Sequence, residues 1–421
     1  MRIVIKTLGC KANRYESDRI QDVFEISGWY VRDFVQYKMP EADVILINTC
    51  TVTHAADRKS RQSLSPLLER FPGSKTIIFG CGANVHKEEY KNLPKVDYVV
   101  QKREDLYKLL KKLSKEFPNE CSVSELVSNR NRSLIKIQDG CNNFCTYCII
   151  PYARGREKSV PLKKILEEIR EKIAQGYKEI VLTGINIGMW KDGEKDLAGL
   201  IKTILNETNL PRLRLGSIEP QNYPNEFYEL FKNKQFCPHL HVSLQSGSDE
   251  ILKKMNRHYD TKLFTEMVKS LRKAAPEIGI TTDIIVGFPG ETDELFEETL
   301  KYARETNFSK IHIFPYSKRK GTLAEKMPGQ ISSAIKKLRC KKLDELEKEM
   351  RREFYKRNIG KNYEILVEAI KENSVAHGFT PNYIKVRINL AGSKIKPKNI
   401  IKVSLKSFDE DKFEMVGELQ N

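Results

Sequence analysis

Two hydrophobic periods alternate along the chain. From residue 1 to about residue 115, short apolar runs are set between amphipathic segments. "RIVIKTL", "ADVILINT", "KTIIFG" and "KVDYVV" are runs of strand length. "NRYESDRIQDVFEISG", "HAADRKSRQSLSPLLERF" and "REDLYKLLKKLSKEF" repeat apolar residues at helical spacing. The first of these helices is expected to start at Asn13 and stop at Gly28, and Pro66 must kink or divide the second. Apolar strands that alternate with helices predict a doubly wound parallel sheet, an α/β fold.

A second alternating series follows a polar stretch, residues 119 to 133, that reads as a linker. Its strands are "LIKIQ", "EIVLTG", "RLRLGSI", "HLHVSLQ", "GITTDIIVGF" and "KIHIFPY", with helical patterns such as "PLKKILEEIREKIAQG" between them. Six strand–helix units fit an open, partial barrel better than a closed eightfold one. Residues 331 to 357 read as one long charged helix. Beyond it, residues 358 to 421 show short alternating strands without helices, the pattern of a small β-barrel. The expected domains are therefore 1–118, 127–357 and 358–421.

Composition narrows the partners. A chain of 421 residues is too long for one core. The net charge of +17 favours a polyanion, with nucleic acid first, although solvated lysines alone give the same sum. No apolar run approaches the roughly 20 residues of a membrane span. The N-terminus lacks the apolar core of a secretory signal, so a cytoplasmic protein is expected. Nine cysteines, an odd number without an export signal, argue for thiolate ligands or free thiols rather than disulfides.

Cys141, Cys145 and Cys148 stand at C-x3-C-x2-C spacing directly after "LIKIQDG". A zinc ribbon needs a second pair, and only the single Cys237 and Cys340 lie downstream. A catalytic zinc usually mixes in histidine or carboxylate. Three thiolates on a four-iron cube would leave one iron without a protein ligand. Cys10, Cys50 and Cys81 each lie just past the C-terminal end of a predicted parallel strand. Such ends converge on one crevice, so these too are expected to form a metal site. The alternative is three buried thiols acting as small hydrophobes, which strand interiors would suit better. Cys121, Cys237 and Cys340 have no partner at ligand spacing and read as structural.

The C-x3-C-x2-C spacing after the first strand of a six-unit barrel resembles the radical S-adenosylmethionine superfamily. The resemblance implies a 4Fe–4S cluster whose open iron is chelated by S-adenosylmethionine, which is then cleaved to a 5′-deoxyadenosyl radical. It also implies cofactor contacts at Tyr147, at Gly184 and Asn186 in "LTGINIG", and at Phe288 in "GFPGET". Glu219 in "SIEP", Gln245 in "LQSGS" and Arg257 in "MNRHY" are further expected contacts. "TLGCKANRYESD", "INTCTVTHAADRKSRQ", "GCGANV" and "CIIPYARGREKS" are similar to the methylthiotransferase branch. That likeness implies a second, auxiliary 4Fe–4S cluster on Cys10, Cys50 and Cys81, and an RNA-binding TRAM-like barrel at the C-terminus. One departure is Gly216 in "RLGSIEP", where serine is expected.

Three substrates fit this branch. "KTLGCKANRYESD" and "GFTPNYIKV" are nearest the enzymes acting on threonylcarbamoyladenosine beside the tRNA anticodon. Isopentenyladenosine in tRNA and an aspartate of a small-subunit ribosomal protein are the alternatives. The basic, aromatic-flanked segments around Lys318, Arg319 and Lys320, and around Arg351 and Arg352, favour the tRNA anticodon stem-loop. The resemblance further implies an electron donor such as flavodoxin or ferredoxin. Outside enzymes, an RNA-binding carrier with two clusters is the rival, but a carrier normally closes each cluster with four protein ligands.

Overall fold

The computed structural model describes residues 1–117, 131–371, 374–390 and 392–420. Most of the expected linker, and Cys121, lie outside the described residues. Two compact units divide the chain. One comprises Met1–Ser128, Gly140–Glu157 and Ser317–Glu325; the other comprises Asn129–Asp139, Lys158–Tyr316 and Lys326–Asn421. The three-cysteine loop therefore belongs to the unit built on the N-terminal residues.

The first unit is built on a five-stranded parallel sheet. Its spatial order is Tyr30–Asp33, Arg2–Thr7, Val44–Thr49, Lys75–Gly80 and Tyr98–Val99. Alternate residues feed two cores. Ile3, Ile5, Val44, Leu46 and Ile77 pack with Ile20, Phe24, Leu106 and Leu110 on one face. Val4, Ile45, Ile47 and Ile78 pack with Leu64, Leu67 and Tyr90 on the other. Burial on both faces is why these strands read as continuous apolar runs. Pro66 does divide its helix, into His54–Gln62 and Leu64–Arg70. The first helix begins earlier than expected, at Lys11, with Cys10 at its N-cap, and it ends at Glu25. The edge strand Tyr30–Asp33 is too short to show a period, and the hydrophobic pattern does not predict it.

The second unit carries six parallel strand positions: Arg132–Lys136, Glu179–Thr183, Arg212–Leu215 continued by Ser217–Ile218, His239–Val242, Gly279–Val286 and Lys310–Pro315. The third is interrupted at Gly216. Its first part pairs with Glu179–Thr183 and its second part, Ser217–Ile218, with His239–Val242. Gly216 N–H donates to Leu182 O at 2.8 Å, and a Cβ there would lie 2.9 Å from that same oxygen. The close approach explains the departure from serine. The helix Ser333–Lys356 packs Leu343, Leu346 and Met350 into the core of these strands.

Residues Asn362–Leu419 close a five-stranded barrel around Ile365, Val367, Val386, Ile388, Val403, Leu405 and Met415. The α/β class, the parallel sheets and the small barrel agree with the pattern-based reading, and the closed five-stranded barrel is consistent with the TRAM-like domain that the resemblance implies. At the base of the six strands, Glu179 is fully buried among Arg132, Arg212 and Arg214, at 3.1, 2.8 and 2.7 Å. Arg214 also donates to Pro381 O of the small barrel at 2.9 Å. The Tyr383 ring lies under the guanidiniums of Arg132 and Arg214. This network ties the small barrel to the strand base.

Candidate metal centres

The strand order places Arg2–Thr7 and Val44–Thr49 side by side at the point where the winding reverses. In open parallel sheets, ligands bind beyond the C-terminal ends of the strands at that reversal. Cys10 and Cys50 follow these two strands, and Cys81 follows the next strand in the sheet.

Local backbone conformation brings the loops together. Gly9 has φ +103°, and a Cβ there would lie 2.7 Å from Cys50 Cβ and 2.9 Å from its sulfur. Only glycine permits that approach with that φ. Gly80, before Cys81, has φ +94°. Asn13 knits the crevice: its Nδ2 donates to Leu8 O at 2.8 Å and to Thr49 O at 3.0 Å. Ser60 Oγ brackets Cys50, accepting from its N–H at 3.1 Å and donating to its carbonyl at 3.0 Å.

Cys10 is exposed, and Cys50 and Cys81 are buried. Burial pushes the Cys50 thiol above its ordinary range, against the pull of Arg154 and Arg319. Burial pushes Cys81 up to about 12, with Arg154 opposing it. A metal displaces such protons, because thiolate rather than thiol is the ligand. Among the described residues, no three His, Cys, Asp or Glu side chains stand together in metal-holding geometry.

In the three-cysteine loop, Gly140 has φ +72° and Phe144 has φ +48°. A Cβ on Gly140 would run into Arg156 O. Cys141 N–H donates to Gly155 O at 3.1 Å, closing the loop on itself. Two backbone amides point at sulfur: Asn143 N–H lies 3.5 Å from Cys141 Sγ, and Ile150 N–H lies 3.4 Å from Cys148 Sγ. Amides aimed at sulfur suit thiolates that carry negative charge. Tyr147 is half-buried in this loop. The short helix Ile150–Arg154 follows, and Asn84 Nδ2 donates to Ala153 O at 2.7 Å.

Some of the expected cofactor residues of the second unit come together. Glu219 pairs with Arg257 at 3.0 Å, and Asn186 Nδ2 reaches Glu219 at 3.5 Å. Gln138 Oε1 accepts from the amides of Ile185 and Asn186, fixing the turn that carries Asn186. Gly184 is closely packed: a Cβ would lie 2.6 Å from Gln138 O. Gln245, at φ +71°, instead bridges to the fifth strand through Asp283 O at 2.8 Å. Phe288 is fully buried, its ring 5.5 Å from that of Tyr316. Its turn is held by Glu291, which accepts from Gly287 N–H at 2.7 Å and from Arg339 at 2.7 Å.

The expected RNA-contacting residues separate. Lys318 and Lys320 are exposed. Arg319 is only 5 % exposed, donates to Thr51 Oγ1 and leaves its Nε without a partner. Its place on a surface basic loop is therefore corrected: it points into the crevice unit beside Cys50. Arg351 pairs with Glu347 and lies 4.0 Å over the Phe413 ring. Arg352 pairs with Glu410 at 3.2 Å. These two pack against the last turn of the small barrel, between its final two strands.

Arg154 and Glu179 escaped the sequence reading. Arg154 stands inside "CIIPYARGREKS", but its partners are 73 and 138 residues away. Glu179 opens an apolar strand, and nothing local marks its three arginines.

Residues 135–303 match the radical SAM superfamily, and residues 2–101 match the uncharacterized protein family UPF0004. The threonylcarbamoyladenosine tRNA methylthiotransferase MtaB of Bacillus subtilis is 37% identical, over 91% of this chain and 89% of its own. Its namesake from Thermotoga maritima is 38% identical over 90% of both chains. The tRNA-2-methylthio-N(6)-dimethylallyladenosine synthase of Thermodesulfovibrio yellowstonii is 34% identical, over 96% and 95%. Among solved structures, the radical S-adenosylmethionine methyltransferase TsrM from Kitasatospora setae superposes with a TM-score of 0.56 at 15% identity. It covers 74% of this chain and 72% of its own, a likeness of fold.

A six-strand partial barrel, a C-x3-C-x2-C loop and the family match define a radical SAM enzyme, and so a 4Fe–4S cluster and S-adenosylmethionine. Within that superfamily the chain belongs to the methylthiotransferase family, as its full-length relatives show.

Proposed function

We propose that this enzyme inserts a methylthio group at carbon 2 of threonylcarbamoyladenosine, next to the anticodon of tRNA in the cytoplasm. One observation carries the reading. Five relatives named for threonylcarbamoyladenosine tRNA are 35–38% identical over nine-tenths or more of this chain. Those named for the dimethylallyladenosine reaction are 33–34% identical.

The residues fit two clusters. Cys141, Cys145 and Cys148 would hold the one that S-adenosylmethionine chelates, and Cys10, Cys50 and Cys81 an auxiliary one. The donor sets are all soft thiols, which suit iron–sulfur clusters. When bound, the first cluster supplies the electron that cleaves S-adenosylmethionine, and the auxiliary cluster presents the sulfur. The chain's own work is placement and exclusion of water. Cys50 and Cys81 are buried at this crevice, and Cys10 is exposed. Glu219, Arg257 and Asn186 offer a carboxylate, a guanidinium and an amide suited to the polar ends of the adenosyl ligand. Exposed Lys318 and Lys320 suit tRNA phosphates. A flavodoxin or ferredoxin is the fitting reductant.

Nucleoside mass spectrometry of tRNA from a deletion strain tests the reading. Threonylcarbamoyladenosine is expected to persist while its methylthio derivative disappears. Selective loss of the methylthio isopentenyl nucleoside would move the assignment to that branch, and unaltered tRNA would reject both.

A further inference from the structure

We infer that Arg154 is a positioning residue for the auxiliary cluster: its Nε–H binds the sulfur of Cys81 and raises the reduction potential of the metal centre there. The inference rests on the two-cluster reading above.

Arg154 closes the short helix that starts just after Cys148, so one segment touches both cysteine sets. Its side chain is 6% exposed. Every nitrogen of the guanidinium has a partner. Nε donates to Cys81 Sγ at 3.1 Å, Nη1 donates to Glu16 at 3.0 Å, and Nη2 donates to Asn13 Oδ1. Both oxygen partners are themselves fixed. Asn13 is bonded to the strand ends ahead of Cys10 and Cys50, and Glu16 is also held by Arg103 at 3.2 Å.

The guanidinium itself favours an anionic sulfur at Cys81, against burial, Glu16 and the two neighbouring thiols. Glu16 is shared between Arg154 and Arg103, so its single negative charge is divided between two cations. A buried cation is stabilised by a compensating anion, and the thiolate ligands of a cluster supply one. An N–H bond to a ligand sulfur draws negative charge away from the metal, favours the reduced state and raises the potential. The rigid fork of arginine delivers this with its other edge anchored, which a lysine cannot do.

A residue that merely pinned the loop through Glu16 and Asn13 would leave the potential alone. The test uses the full chain carrying Cys141→Ala, Cys145→Ala and Cys148→Ala, reconstituted anaerobically, so that the remaining iron reports on the first cysteine set. Arg154→Lys and Arg154→Gln are then compared with Arg154 by redox titration, by paramagnetic resonance of the reduced cluster and by iron content. Both variants are expected to titrate at lower potential with altered spectra. The glutamine variant should shift by at least tenfold in its reduction equilibrium, about 59 mV for one electron, and the lysine variant by less. If the glutamine variant holds no iron, the lysine variant decides by the same criterion. Potentials and spectra identical to those with Arg154 would overturn the inference. An absence of iron even with Arg154 in place would instead remove the two-cluster reading, and this inference with it.

Discussion

Glu179 Oε1 accepts from Arg214 Nε at 2.7 Å, and neither side chain is more than 2% exposed. The pair joins the second strand of the partial barrel to the third, and Arg214 carries the link on to the small barrel. Replacing Glu179 by glutamine would leave Arg132, Arg212 and Arg214 buried around a neutral amide. Breaking a buried charge network in this way costs about 3–5 kcal/mol. Urea unfolding followed through the second unit should show a midpoint lowered accordingly. A midpoint unchanged by the substitution would mean the network is not structural.

The same carboxylate sets an acid limit. Burial alone would raise its pKa, but Arg214, Arg212 and Arg132 outweigh burial and hold it at about 2, below the ordinary 4.5. A depressed carboxylate contributes stability that is fully present above its unfolded pKa and lost as pH falls through the folded value. The loss should therefore begin near pH 4.5 and be complete near pH 2. In Glu179→Gln this part of the acid transition should be missing, as read by circular dichroism against pH.

Gly9→Ala tests the crevice. The added methyl would meet the sulfur of Cys50 at 2.9 Å, at a φ of +103° that alanine adopts only with strain. The cost is on the order of 1–3 kcal/mol, local to the loop that carries Cys10. Iron bound by the Cys141/Cys145/Cys148→Ala background should fall in Gly9→Ala, while the thermal transition of the second unit stays in place. Full iron retention would show that Cys10 and Cys50 need not approach so closely.

Loss of the first set, by Cys10→Ala, Cys50→Ala and Cys81→Ala together, is expected to leave reductive cleavage of S-adenosylmethionine intact and to abolish methylthio insertion. Release of 5′-deoxyadenosine, measured by chromatography beside the modified nucleoside, checks both halves. If cleavage vanished while the cluster on Cys141, Cys145 and Cys148 persisted, the division of labour would be wrong.

Charge reversal at Lys318 and Lys320 should weaken tRNA binding and flatten its salt dependence by about 0.7 in slope for each phosphate no longer neutralised. Reversal of Arg352 should act differently: it breaks the pair with Glu410 and shifts stability more than salt slope. Filter binding across a salt series, with melting curves for each variant, separates the two.

The strand–helix alternation of the first 115 residues and the helix-free C-terminal strands are readable because each reflects a local period. Whether a strand is buried on one face or two is written in its own residues. C-x3-C-x2-C is local in the same way: eight residues suffice to describe it. The placement of Cys10, Cys50 and Cys81 past strand ends is readable at one remove, since parallel strands bring their C-terminal ends to one edge whatever lies between them. The first helix starting at Lys11 rather than Asn13 shows where that reasoning stops, because Asn13 works inside the helix as a tie between loops 36 residues apart.

What the pattern could not supply are relationships between charged side chains far apart in sequence. A buried arginine and an exposed one are the same letter in an otherwise basic segment. Arg319 lies between two lysines that stay in water, yet it turns inward to Thr51, 268 residues away. Arg351 and Arg352 stand in a basic segment, and only packing brings Phe413 and Glu410 beside them. Arg154 meets Cys81, and Glu179 meets its three arginines, only after separate strands and loops have packed. Backbone periodicity is dictated by nearest neighbours, whereas the partner of a buried charge is dictated by whichever opposite group the finished packing excludes from water with it.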